Sequence, residues 1–318
     1  ADGTVVIGYE SGKAITSGQY STFVGYQAGY SSDTNDGNTF IGYLAGYEAD
    51  AATTAANQNT YLGAFAGRFL DDGYDNVAVG YDAMASNSDS AANAVNRSIA
   101  IGRNAMAGSD SNQGTIVIGY YAGDHGSADV DSAVIIGREA GRGAMTSDAD
   151  GTIAIGYQAL TALTSGVGNT ATGYQAGYSL TTGDENVMIG HHAGYNNETG
   201  VYNVHIGYGA GKGTSGYGAG SNTFVGYKTG FSTTSGYNNV ALGTNSLENL
   251  TTGQRNVTIG VNAGQSITTS GYLVLIGYEA GKSFTGTGLT AVGYQAATSM
   301  VDGYSNTAIG YEALHSEV

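Results

Sequence analysis

Short stretches in which apolar and polar positions alternate recur along the chain in nearly the same words. NTFIGYLAGY, Asn38 to Tyr47, returns as NTATGYQAGY from Asn169, NTFVGYKTGF from Asn222 and NTAIGYEALH from Asn306. Aligned on the glycine that follows the aliphatic residue, here called the pivot, the chain divides into 18 units from Gly8 to Gly310, and 11 of the 17 intervals are 17 residues long. A β-branched residue stands three before every pivot, an Ile, Val or Leu one before it in all units but that of Thr172, and Tyr one after it in 12 units. Side chains of a strand alternate in direction, so these three columns share a face. Each unit therefore predicts one short strand.

The remaining columns predict how the strands are joined. Ala lies three after the pivot in 15 units and a second Gly follows in 12, as expected of a corner where layers approach closely. Asn lies four before the pivot in ten units, placed to bond the turn and to stack from unit to unit. TTG segments such as Thr181-Thr182-Gly183 are turn signals. A helical repeat is the competing reading, but three to four glycines per unit oppose it at about 1 kcal/mol each. The expected fold is all-β: a β-solenoid, β-roll or β-helix, of about 18 short rungs in a single domain over 1–318, each rung burying its apolar side only by stacking. At about 4.8 Å per rung this gives a rod on the order of 85 Å.

The tyrosines Tyr9, Tyr26, Tyr43, Tyr157, Tyr174, Tyr227, Tyr278, Tyr294 and Tyr311 are expected to form a packed ladder, with stacking on sugars as the alternative. The column two before the pivot faces away from the aliphatic pair and holds Phe23, Phe40, Tyr61, Met188, His205, Phe224 and Leu275 among many Ala. Large apolar groups on an outer face are normally covered by another surface. This column, Phe23, Phe40, Tyr61, Met188, Phe224 and Leu275 above all, is therefore the expected subunit interface, although an inward face would show the same composition.

Composition narrows the function. The chain holds 54 Gly and no Pro, Cys or Trp, so turns rest on glycine and cysteine chemistry is excluded. A net charge of −16 opposes sequence-independent binding to nucleic acid or an anionic membrane. No run of about 18 apolar residues suggests a spanning helix, and the first residues do not resemble a signal peptide.

The pattern NTAIGYQAG followed by TTGxxN resembles the tandem repeats of phage tail-fibre proteins and related bacterial surface proteins, and its core is similar to the head repeats of trimeric autotransporter adhesins. The resemblance covers essentially the whole chain. It implies a parallel homotrimeric, fibrous, extracellular or virion-borne protein. The 17-residue unit is longer than is usual in adhesin heads, and no chaperone or anchor segment follows Val318.

Catalytic chemistry is not indicated. Asp148 with Asp150, Asp71 with Asp72, and Asp184 with Glu185 are the nearest approaches to an acid and base pair of a carbohydrate-cleaving enzyme, but they lie in turn-like text. His125, His191, His192, His205 and His315 are the available bases. His191, His192 and His205 alternate in direction and are not expected to converge on a metal. SDADG, Ser147 to Gly151, is a candidate calcium loop lacking the full ligand spacing. The glycine-rich run around Lys212 follows the repeat phase and lacks the phosphate-loop pattern. Two longer intervals, with inserts near 47–59 and 84–98, predict loops suited to recognition.

The reading is thus a non-enzymatic fibre or adhesin segment with no catalytic, cofactor or metal residues. Its expected partners are itself, as homotrimer or head-to-tail filament joined through unpaired terminal rungs, and a cell-surface polysaccharide; its expected location is extracellular, on a virion or a cell surface. A self-assembling structural filament and a polysaccharide-degrading solenoid enzyme are the alternatives. Ice binding is a distant one, since Thr does not recur on one face of every rung.

Overall fold

The computed structural model describes residues 2–48, 56–70, 72–86, 95–108, 111–124, 130–214, 216 and 218–315. Every repeat contributes one three-residue strand, and all are parallel, so the chain is an all-β parallel solenoid. It divides into two compact units, Ala1–Ser165 and Gly166–Val318, where the repeat by itself offered no boundary. The first unit holds nine strands, β1 (Val5–Ile7) to β9 (Ile153–Ile155), and the second holds nine, β10 (Thr170–Thr172) to β18 (Thr307–Ile309). Among the described residues there is no α-helix, and only a single 3₁₀ turn at Ser147–Ala149.

Strands pair column on column. Phe23 lies opposite Phe40 and Phe40 opposite Tyr61 in the first unit, and Met188 opposite His205 and His205 opposite Phe224 in the second. Backbone bonds run between rungs all round the coil, as where Thr22 N–H donates to Asn38, Gly25 to Ile7 and Gln27 to Tyr9, each between 2.7 and 2.8 Å. The pivots make this stacking possible. They have φ between 124° and 146°, and a Cβ placed on Gly8, Gly25 or Gly190 would lie 2.1, 2.2 or 2.5 Å from the carbonyl oxygen of the next pivot. A side chain at that point would push two backbones apart.

The sense of the alternation is opposite to that expected. The column two before the pivot points inward: Phe23, Phe40, Tyr61, Met188, His205, Phe224 and Leu275 are fully buried within their own chain. They are core residues and cannot form a subunit interface. The three columns read together as a face, β-branched, aliphatic and Tyr, point out instead. Alternation alone cannot decide between these cases because both sides of the strand are apolar; room does. The column four after the pivot is left-handed in every described rung, and it is Gly beside every large inward neighbour and Met or Leu beside five of the seven inward alanines, Ala171 and Ala291 facing Gly177 and Ala297 instead. A Cβ on Gly46 would meet the Phe40 ring at 2.6 Å, on Gly67 the Tyr61 ring at 2.3 Å and on Gly230 the Phe224 ring at 2.4 Å. Beside Ala78, Ala100, Ala154 and Ala241 the same position carries Met84, Met106, Leu160 and Leu247, all buried. Their positive φ, 50° to 55°, costs about 1–2 kcal/mol each, which the filled space offsets at about 0.8 kcal/mol per CH₂.

The asparagines four before the pivot form the expected ladder. In the second unit Asn186 N–H donates to Asn169 Oδ1 (3.0 Å), and the same bond recurs from Asn203 to Asn186, Asn222 to Asn203, Asn239 to Asn222 and Asn256 to Asn239. Each side-chain amide also donates to a turn carbonyl, as Asn239 to Gly253 (3.0 Å). All six residues are buried, so the ladder leaves none of these amide oxygens without a donor.

Candidate assembly face and surface ladders

Within each unit the outward columns make one strip, β-branched and aliphatic side chains beside a row of rings. Tyr9, Tyr26, Tyr43, Tyr174, Tyr227, Tyr278, Tyr294 and Tyr311 are exposed, and Tyr157 is half-buried. Their faces are turned on each other. Tyr9, Tyr26 and Tyr43 stack with centroids 5.3 Å apart, Tyr278, Tyr294 and Tyr311 with centroids 5.2 Å apart, and Tyr208 on Tyr227 at 5.3 Å. A sugar that stacks needs a free ring face, and here most faces are already covered by a neighbouring ring.

Interruptions of the row are mostly filled by another flat group. Ala64 leaves a gap that Phe65 closes edge-on between Tyr43 and Tyr81, at 5.3 and 5.5 Å. Arg138 lies with its guanidinium 5.8 Å from the Tyr120 ring and 5.7 Å from that of Tyr157. His191 stacks between Tyr174 and Tyr208 at 4.8 and 5.1 Å. At Thr244 and Val261 the row is open, and there Leu242 rises to 45 % exposure while Val225 and Ile276 on either side stay half-buried. None of the 26 Asp and Glu residues stands in the three outward columns.

A second surface ladder, five after the pivot, escaped the reading of the sequence. Tyr30 stacks on Tyr47 at 5.0 Å and Tyr178 on Tyr195 at 5.1 Å, with Lys13 over Tyr30 and Lys212 over Tyr195. The signal was the recurrence of an aromatic or basic residue after the second Gly. Between the ladders runs a polar row two after the pivot, where Gln27 donates to Glu10 (2.8 Å), Gln158 to Glu139 (2.8 Å) and Gln295 to Glu279 (2.9 Å). The bonds from Lys13 and Gln27 hold the Glu10 carboxyl below its usual range. Those from Gln158, then Arg138, lower Glu139, and those from Lys282 and Gln295 lower Glu279.

His191, His192 and His205 do not converge on one point, although the rings of His191 and His192 lie 4.1 Å apart. His191 is on the outer row, His192 shares a 2.9 Å bond with Gln175 Oε1, and His205 is in the core, stacked on Phe224 at 5.4 Å. Burial, then His191 and Lys212, lower the pKa of His192, and burial lowers that of His205 to about 3. Among the described residues no three His, Asp or Glu side chains gather as metal ligands.

The candidate carboxylates serve turns. Asp150 Oδ1 accepts from Asp131 N–H (2.8 Å) and Asp184 Oδ1 from Val167 N–H (2.9 Å). Asp148 lies in the 3₁₀ turn. Asp71, His125 and most of both insert loops, 49–55 and 87–94, lie outside the described residues. No protein-family model, curated protein or solved structure matches this chain.

Proposed function

We propose that the chain is a non-enzymatic structural segment of an extracellular fibre, of a virion or a cell surface, in which three parallel copies associate through the outward strip and hold a rigid shaft for attachment. One observation carries the reading: in a chain of net charge −16, an exposed apolar and aromatic strip excludes every carboxylate. Like-charged copies repel wherever their acidic surfaces meet, and this strip is where they approach without that cost. Nine rungs about 4.8 Å apart and a strand width of about 13 Å give each unit a strip on the order of 500 Å². A patch of that size on a monomer commonly marks an interface. Copies stacked in parallel present the same rung spacing, so every ring row meets its like. Stacked rings that leave few faces free support packing against protein over the capture of sugar by this row.

Light scattering on the purified protein tests the reading. The expected species is about three times the 32.1 kDa chain mass. Ile118→Glu with Ile276→Glu places a carboxylate on the strip of each unit and is expected to give a folded monomer, with the circular dichroism spectrum unchanged. A monomeric wild-type protein at tens of micromolar sinks the proposal.

A further inference from the structure

The second unit brings two cations onto one ring. Lys212 Nζ lies 5.1 Å and Lys228 Nζ 5.4 Å from the centre of Phe231, which holds the ammonium groups within about 10.5 Å of each other. Among the described residues no other aromatic ring has two cations over it. The two remaining lysines are neutralised, Lys13 by Glu10 at 2.9 Å and Lys282 by Glu279 at 2.7 Å, whereas Lys212 and Lys228 have no ion pair among the described residues. The arrangement is built into the rung. Phe231 lies over Gly209, where a Cβ would meet the ring at 3.0 Å, and Gly209 is the one glycine in a column otherwise filled by side chains. Gly213 N–H donates to the Phe231 carbonyl (3.0 Å), fixing the backbone beside Lys212. The Tyr195 ring, 5.8 Å from Lys212 Nζ, flanks the pair, and both lysine side chains are half-buried with their stems against the rings. The cluster sits two and five after the pivot, beside the assembly strip and outside its three columns.

We propose that Lys212, Lys228 and Phe231 form a binding site for the carboxylate of an acidic polysaccharide, a uronic acid residue being the recognised unit. Two uncompensated ammonium groups held on one ring repel each other, and an anion relieves that repulsion with little loss of side-chain freedom. Charge density selects the ligand class. A nucleic acid, with one charge per about 1.7 Å of duplex, meets the acidic remainder of the chain all along its length. A polyuronate carries one carboxylate per sugar and can place one at the cluster while its neutral ring edges lie along the Tyr195 side. The site rests on the fibre reading for its biological sense, but it is formed within a single chain, and three copies in a trimer make weak sites additive.

The test is calorimetric titration of the full chain with a galacturonate hexamer, a neutral glucose hexamer of equal length and inorganic phosphate, at low and moderate salt. The expected result is binding of the galacturonate hexamer alone, weakened by salt, lost at least tenfold in Lys212→Gln/Lys228→Gln and several-fold in Phe231→Leu, with melting temperatures unchanged. The proposal is overturned by no binding, by equal binding of the double variant, by equal binding of the neutral hexamer, or by phosphate competing as well as the uronate, which would mean a simple ion site. Light scattering on the same samples separates the two claims: a trimer that does not bind sinks this site only, and a monomer that binds sinks the trimer only.

Discussion

At the scale of single residues, the glycines of this chain do two unlike things. The pivots are required by backbone meeting backbone, whereas Gly151 has φ +68° and nothing within 4 Å of a Cβ. Gly190→Ala is therefore expected to cost about 3 kcal/mol or more, since neither φ 132° nor the Gly207 oxygen can yield. Gly151→Ala is expected to cost only about 1 kcal/mol, and urea denaturation of the two variants checks the ratio. His205 is the residue that couples the core to pH. Its imidazole is neutral in the fold down to about pH 3, while the unfolded chain takes up its proton near pH 6.5. Stability is thus full above about pH 6.5 and falls by about 1.4 kcal/mol per unit as the pH drops toward 3. His205→Phe, which suits the space beside Gly211 as Phe224 suits Gly230, is expected to flatten that acid slope in denaturation curves taken from pH 7 to pH 4. An unchanged slope would place the acid sensitivity elsewhere.

At the scale of the rung, each element is a small volume shared by two or three side chains. Ala241→Phe alone should overfill its rung and cost about 1–3 kcal/mol. Adding Leu247→Gly reproduces the pairing of Phe224 with Gly230 and is expected to restore most of the loss, a coupling that a double-mutant cycle measures directly. Strand, corner, turn and Asn ladder were all legible in the sequence, because φ and spacing dictate them locally. The direction of the strand's faces was not read, since Phe40 and Ile41 are equally apolar and parity cannot tell in from out. The information was nonetheless present: large residues at Phe40, Tyr61 and Phe224 each face Gly four after the pivot, and Ala78, Ala100 and Ala241 face Met84, Met106 and Leu247. Reading volumes across columns, instead of polarity along one, would have placed the core. The Lys212 and Lys228 pair is hidden differently: Lys212 stands in glycine-rich text and Lys228 in the strand motif one rung on, and only the coil brings both onto Phe231.

At the scale of the molecule, charge and apolar surface are separated in a way that composition hides. Among the described residues the acidic side chains lie in turns, in the polar row and, at Asp124 and Glu248, five after the pivot, and no carboxylate stands in the three outward columns, so a strongly acidic chain keeps one apolar strip clear of negative charge. The hydrogen bonds between rungs have a further, mechanical consequence. Within each unit they run from one rung to the next, so tension along the stacking direction falls on one rung boundary at a time, whereas tension across it is shared by all. Peeling a terminal rung frees about 17 residues, roughly 58 Å of extended chain in place of a rise of about 4.8 Å. Pulled along the stack in a force-extension experiment, each unit should lengthen in steps of about 50 Å, longer at the two insert-bearing rungs of the first unit, and re-wind when slackened, yielding under load by instalments where a globular domain gives way at once.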